Sequence, residues 1–153
     1  MDHPGTFNPA RGYPSVVPYV RYEDPATAIE WLSRVLGARE VLRMTLPDGR
    51  IGHAELSLGT GQIALGLTTE PTTGGPLPTR ATLPAMTLVF VDDVDAAVER
   101  ARAEGGELVD PAADQPWGLR QAVVSDPGRH LWELSAHVRD VAPGDWGAEL
   151  VEP

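Results

Sequence analysis

Residues 126–134 read DPGRHLWEL, a tight-turn sequence that runs directly into a strand-like segment. Proline presets φ and glycine accepts positive φ at little steric cost, so Asp-Pro-Gly is typical of a β-turn. The preceding segment, residues 119–125 (LRQAVVS), is also strand-like. The two segments and their turn therefore predict a β-hairpin that closes a folding unit.

The same order of turn signals occurs 69 residues earlier in the chain, without a gap. The matching positions are Gly37 and Gly106, Pro47 and Pro116, Gly49 and Gly118, and Gly59 and Gly128. Glycine and proline are required where the chain geometry is special, so these matches indicate repeated structure. The sequence therefore predicts two related modules, and a cleft between them is a natural place to bind a ligand.

Each module is predicted to follow the order βαβββ, which gives an α+β fold with mixed sheets. Asp24-Pro25 predicts the start of a helix that ends at Gly37, and Asp92-Asp93 the start of one that ends at Gly105-Gly106. Strands are predicted over 15–22, 39–46, 50–58 and 62–68, then over 84–91, 107–110, 119–125 and 130–137. The expected organisation is one structural domain with an irregular arm (1–14), a first module (15–69), a linker (70–83), a second module (84–137) and a tail (138–153).

Composition excludes several classes of function. The 153-residue chain has a net charge of −10, whereas a nucleic-acid-binding protein presents a basic face. It contains no cysteine, which removes thiolate metal ligands and cysteine nucleophiles. No apolar run approaches the length of a membrane span, and the first residues lack the pattern of a signal peptide. We therefore expect a cytoplasmic protein without nucleic-acid or membrane partners.

The closing sequence DPGRHLWEL and the two tandem βαβββ modules resemble the vicinal oxygen chelate superfamily. This superfamily includes glyoxalase I, bleomycin-resistance proteins, fosfomycin-resistance enzymes and extradiol dioxygenases. The segments His53-Ala54-Glu55-Leu56 and Gln115-Pro116-Trp117-Gly118, together with the Trp132–His137 end, look like its PhnB-like branch. The resemblance implies two cupped sheets with a helix on each convex side and a ligand cavity on the concave side.

The resemblance also implies where a metal would lie. The metal enzymes of the superfamily draw ligands from the first and last strand of each module, and the matching positions here are Val17, Ala64, Met86 and Glu133. Only Glu133 suits a hard divalent cation, whereas a catalytic site needs about three protein ligands. We therefore expect no metal cofactor. A divalent metal in a displaced site of His53, Glu55, Glu133 and His137 is the alternative.

Strand parity predicts which side chains line the cavity, because alternate residues of a strand share a face. If Glu133 points inward, Trp132 and Leu134 pack beneath the helix. In the third strand, Ile51 joins the inward residues, and Trp117 lies at the rim. The predicted ligand-binding residues are Tyr19, Arg21, His53, Glu55, Met86, Leu88, Phe90, Trp117, Leu131, Glu133 and Ser135.

The leading hypothesis is a glyoxalase/bleomycin-resistance-like protein that binds a small aromatic or cationic organic molecule without a catalytic metal. One alternative is a metal-dependent lyase, isomerase or dioxygenase with the displaced metal site. The other is a metal-free enzyme in which Glu133 or His53 is the catalytic general base. Fold alone does not decide among these three.

Structural roles for the same residues remain open from the sequence. His53 and Glu55 could hydrogen-bond each other or the backbone, and Glu133 could pair with Arg21 or Arg120. Trp117 is as well suited to a dimer interface as to ligand stacking. We expect a homodimer, since exposed aromatic side chains are more easily explained if a partner covers part of the surface.

Overall fold

The computed structural model describes residues 13–70 and 75–152, which form two compact units that divide after Gly75. Each unit contains one four-stranded mixed sheet and one α-helix in the order βαβββ. The predicted α+β class and the predicted element order are therefore confirmed. In the described part of the chain, no helix is long and apolar enough to cross a membrane.

The first unit follows the predicted order closely. Its elements are β1 (Tyr19–Tyr22), α1 (Pro25–Leu36), β2 (Arg39–Thr45), β3 (Ile51–Leu58) and β4 (Gly61–Leu67). The strand order is β1-β4-β3-β2, with β1 parallel to β4 and the other pairs antiparallel. Asp24 caps α1 by accepting hydrogen bonds from the Thr27 hydroxyl and backbone N–H, and these bonds lower the pKa of Asp24.

The second unit repeats this arrangement with different strand lengths. Its elements are β5 (Thr87–Phe90), α2 (Val94–Ala103), β6 (Glu107–Asp114), β7 (Leu119–Ser125) and β8 (Leu131–His137), in the strand order β5-β8-β7-β6. The prediction that β6 ends at residue 110 is wrong. Pro111 does not stop this strand because β6 is an edge strand, where a missing N–H is tolerated. The tail contains one short 3-10 helix, Pro143–Trp146.

Each helix packs against one face of its own sheet and leaves the other face free of helix. The buried residues between each helix and its sheet include Trp31, Leu32, Leu56 and Leu65 in the first unit, and Ala97, Val124, Trp132 and Leu134 in the second. We call the face away from the helix the open face. Strand parity correctly places His53 and Glu55 on the open face of the first unit, and Leu88, Phe90 and Glu133 on that of the second.

The gap-free match between the modules does not hold throughout, as the helix ends and strand β3 show. The left-handed glycine that ends α1 is Gly37 (φ 74°), and its counterpart after α2 is Gly105 (φ 91°), not Gly106. In β3, a shift of the pairing with β2 leaves Gly52 as an extra residue. Ile51 is consequently buried in a cleft near the start of α1, so its predicted inward placement beside His53 is wrong.

Candidate functional site

Tyr19 is the most exposed aromatic residue on the open face of the first unit, at 54% of its maximum exposure. Its ring lies directly over the backbone of Gly66 in the neighbouring strand β4. A Cβ atom added at Gly66 would lie 2.8 Å from Cε1 and 2.9 Å from Cζ of Tyr19. Glycine at this position therefore allows the ring to lie close to the sheet.

Two neighbours hold the Tyr19 ring in place. The imidazole of His53 stacks against it with the ring centroids 5.8 Å apart and the planes 28° from parallel. The guanidinium carbon of Arg21 lies 5.6 Å from the centroid of the same ring, within cation–π range. The predicted site residues Tyr19, Arg21 and His53 therefore form one continuous group.

Glu55, two residues from His53 on β3, joins this group and is only 13% exposed. Its Oε1 lies 3.3 Å from Nε2 of His53, which orients the imidazole. The hydroxyl of Tyr13 donates to Oε1 and Oε2 of Glu55 at 2.9 and 2.8 Å. Sequence reasoning missed Tyr13, because a single tyrosine in the predicted arm carries no periodic signal.

In the second unit, Glu133 lies in a row of paired residues that crosses all four strands. The row runs from Leu88 on β5 through Glu133 and Val123 to Asp110 on β6. Arg80 bridges this row: its Nη2 donates to Glu133 Oε1 at 2.9 Å and its Nε to Asp110 Oδ2 at 2.5 Å. The carboxylate of Glu133 is thus both nearly buried, at 12% exposure, and paired with a cation.

Arg80 was not among the expected partners of Glu133. Arg120, one of the two partners considered, instead binds Asp95 and Asp114. The hydrogen bond from Arg80 to Glu133 has the largest effect on the pKa of the guanidinium and raises it, whereas burial lowers it. Arg80 therefore stays charged at any physiological pH.

Trp117 and Ser135 belong to a hydrogen-bonded chain in the second unit. The indole N–H of Trp117 donates to Oε1 of Gln121 at 3.1 Å, and Nε2 of Gln121 donates to Oγ of Ser135 at 2.9 Å. The Trp117 ring packs against Trp146 with centroids 5.8 Å apart. Gln121, which the sequence analysis missed, therefore connects the turn of Trp117 to the interior of the sheet.

The remaining predicted ligand-binding residues differ in accessibility. Phe90 is 66% exposed and Leu88 is also exposed, whereas Met86 is half-buried and precedes β5. Leu131 and Ser135 are buried, so neither presents a side chain at the surface of the described structure. Among the predicted ligand-binding residues of β5 and β8, the accessible apolar surface is therefore that of Leu88 and Phe90.

The donor set does not fit a catalytic metal. Val17 and Ala64 have no ligating atom, and Glu133 is bound to the guanidinium of Arg80. His137 lies at the end of β8 with its Nε2 2.8 Å from Asp140. Within residues 13–70 and 75–152, no three His, Cys, Asp or Glu side chains cluster so that they could hold a metal ion. The predicted displaced site therefore has no cluster to support it there.

A separate cleft of about 400 Å³ lies in the first unit, beside the start of α1. It is lined by Asp24 and Pro25 from the helix, by Arg43 and Arg50 from the β2–β3 hairpin, and by neighbouring residues. Both arginines are engaged by carboxylates of their own hairpin, Glu40 and Asp48. None of the predicted site residues lines this cleft, and both of its arginines are already paired.

Comparison with known proteins identifies the family. Residues 13–134 match the family model described as the Glyoxalase/Bleomycin resistance protein/Dioxygenase superfamily. An uncharacterised protein of Mycobacterium bovis is 34% identical over 131 residues, which cover 84% of this chain and 86% of that protein. No comparison tests the PhnB-like branch, which stays a prediction.

Solved structures agree with this assignment. TioX from Micromonospora sp. ML1 is 39% identical, with a TM-score of 0.62 over 80% of this chain and 98% of TioX. The fosfomycin resistance protein FosX from Listeria monocytogenes, solved with Mn(II) and sulfate, shares the fold at 18% identity, with a TM-score of 0.59 over 81% and 93% of the two chains. The chain described here therefore belongs to the glyoxalase/bleomycin resistance protein/dioxygenase superfamily.

Proposed function

We propose that this protein binds a small organic molecule, aromatic or cationic, on the open faces of its sheets and without a catalytic metal. The observation that carries the proposal is the group on the first unit: an exposed Tyr19 ring fixed between His53 and Arg21, beside the nearly buried carboxylate of Glu55. Sites for small molecules commonly combine apolar contact area with a few fixed polar groups.

The physical basis of the proposal is preorganisation. Ring stacking contributes about 0.5–1.5 kcal/mol beyond the buried area, and a ring that is already held in place loses little entropy on binding. A carboxylate near the ring supplies an acceptor for a polar or cationic group of the ligand. The net charge of −10 further favours the approach of cations at low salt.

The proposal is tested by screening the purified protein against matched sets of cationic, neutral and anionic aromatic compounds. Binding is detected by quenching of tryptophan fluorescence and confirmed by calorimetry. Saturable binding of cationic or neutral members supports the proposal. A screen in which every compound that binds is anionic, or in which nothing binds, contradicts it.

We expect divalent metals to leave the stability of the protein unchanged. A tight site occupied at 100 times its dissociation constant would add about 2.7 kcal/mol to the free energy of unfolding. Thermal unfolding with and without Zn²⁺, Mn²⁺, Ni²⁺ or Fe²⁺ measures this, together with elemental analysis of the purified protein. One equivalent of metal that is lost on Glu133→Ala would contradict the expectation and favour the metal-dependent enzyme.

A metal-free enzyme is the second candidate because Glu55 orients the imidazole of His53. A carboxylate that fixes an imidazole is the arrangement used by many general bases. Mass spectrometry of the compounds that bind, after prolonged incubation with the protein, distinguishes the two functions. A product whose formation stops in His53→Gln, with binding retained, would favour the enzyme.

A homodimer is also expected. Trp117 and Trp146 pack on each other, yet both remain partly exposed on one side of the second unit. Burial of these rings by a second copy would remove apolar surface from water, at about 25 cal/mol per Å². Sedimentation equilibrium at micromolar concentration measures the mass, and a monomer for the wild type would contradict the expectation.

The proposed cytoplasmic location rests on the cysteine-free composition.

A further inference from the structure

The ion bridge formed by Arg80 has the geometry of a bound guanidinium group. Two nitrogen atoms of one planar guanidinium donate to two different carboxylates, Glu133 and Asp110. The two carboxylates stand on the same cross-strand row, separated only by buried Val123. They are therefore placed to recognise a flat, multiply donating cation rather than a point charge.

The surroundings of this bridge add a binding surface for an apolar group. Leu88 is paired with Glu133 across β5 and β8, and Phe90 lies two residues further on the same face of β5. Both side chains are exposed next to the nearly buried Glu133 carboxylate. A molecule with a guanidinium-like head and an apolar body therefore finds a complementary feature for each part.

Arg80 comes from a turn outside the sheet. The turn is closed by the Thr82 hydroxyl, which accepts from the backbone N–H of Thr79 at 2.8 Å, and by the Thr79 carbonyl, which accepts from the backbone N–H groups of Thr82 and Leu83. The Arg80 side chain is itself partly exposed. Its withdrawal from the two carboxylates therefore breaks no pairing between strands.

We propose that Arg80 is an internal occupant of a binding site for amidines and guanidines that carry an apolar or aryl group. The cationic head of the ligand replaces the Arg80 guanidinium on Glu133 and Asp110, while its apolar body covers Leu88 and Phe90. This inference rests on the proposed binding function and names the ligand class for the second unit. It also makes Arg80 an autoinhibitory contact, because the ligand must displace it.

The effect expected from removing Arg80 follows from competition between Arg80 and the ligand for the two carboxylates. The apparent affinity of a ligand falls in proportion to the fraction of molecules in which the site is open. If Arg80 leaves the carboxylates free in about one molecule in ten, its removal strengthens binding about tenfold. Arg120 of the same unit provides a matched control, since it also bridges two carboxylates, Asp95 and Asp114, and its removal changes the net charge equally.

The test is calorimetric titration with benzamidine, with neutral benzamide as the matched compound. We expect Arg80→Ala to bind benzamidine about tenfold more tightly than the wild type, Arg120→Ala to match the wild type, and Arg80→Ala/Glu133→Gln to lose the gain. Benzamide should bind weakly to all four proteins. Circular dichroism verifies folding, and Arg80→Gln replaces Arg80→Ala if the latter does not fold.

Several results would overturn the inference. One is that the wild type and Arg80→Ala bind benzamidine with equal affinity. Others are that Arg120→Ala gains as much affinity as Arg80→Ala, or that benzamide binds as tightly as benzamidine. An NMR resonance of the Arg80 Nε–H in the wild type that does not shift when benzamidine saturates the protein would also overturn the inference. If benzamidine fails in this way while other aromatic compounds bind in a Tyr19-dependent manner, the ligand class is wrong and the proposed function stands.

Discussion

Replacement of Trp132 by alanine is expected to lower the free energy of unfolding by about 3–5 kcal/mol, the usual cost of removing a large buried aromatic side chain. Trp132 is 1% exposed and lies on the helix side of β8. Its indole N–H also donates to Oδ2 of buried Asp126 at 3.0 Å. The other oxygen of this carboxylate, Oδ1, accepts a hydrogen bond from the backbone N–H of His130. Asp126 therefore links the Trp132 ring to the β7–β8 turn.

Urea unfolding followed by far-UV circular dichroism measures this effect. Trp146→Ala is the control, because Trp146 lies in the tail and is partly exposed. Trp132→Phe, which keeps most of the volume but removes the donor to Asp126, should cost about 1–3 kcal/mol and provides a value if the alanine variant does not fold. A loss in Trp132→Ala no larger than in Trp146→Ala would show that this contact does not stabilise the unit as described.

The second large effect concerns ligand binding. Tyr19→Ala should weaken the binding of an aromatic ligand about tenfold, since it removes both stacking and apolar contact area. Gly66→Ala should have a similar effect with the tyrosine still present, because the new methyl group would overlap the ring of Tyr19. The overlap involves only side-chain atoms of the exposed Tyr19 and no backbone, so the fold should tolerate this change.

Gly61→Ala is the matched control for Gly66→Ala. Gly61 begins the same strand, and an added Cβ would meet only the Leu58 carbonyl oxygen at 3.6 Å. Calorimetric titration of the four proteins with the tightest aromatic compound from the screen gives the affinities. If Tyr19→Ala and Gly66→Ala bind as tightly as the wild type, the Tyr19 ring is not part of the site.

Local sequence signals predicted the framework of this fold well. The DPGRHLWEL segment encodes its hairpin because Asp126 closes the turn through side-chain hydrogen bonds, and alternation places Trp132 and Leu134 beneath α2. Asp24 and Asp93 cap their helices as the sequence predicts. Caps, turns and strand parity depend on residues a few positions apart, so a single sequence contains the necessary information.

The parts that could not be predicted depend on contacts between distant segments. The bridge from Arg80 to Glu133 and the hydrogen bonds from Tyr13 to Glu55 join residues 53 and 42 positions apart, which leaves no periodic pattern. The extra residue Gly52 in β3 moves Ile51 to the face opposite the one that simple alternation predicts. The composition of the strand gives no sign of this change. The sequence therefore predicted the site residues that lie on the strands. It did not predict the side chains that reach the site from outside the sheets.

The central claim, binding of an organic molecule without a metal, is tested most directly by one titration. The protein is treated with a chelator, and the tightest aromatic compound from the screen is titrated by calorimetry with and without added Mn²⁺ or Zn²⁺. We predict saturable binding with the same dissociation constant under all conditions. Binding that appears only when the metal is restored, and that disappears in Glu133→Ala, would contradict the claim.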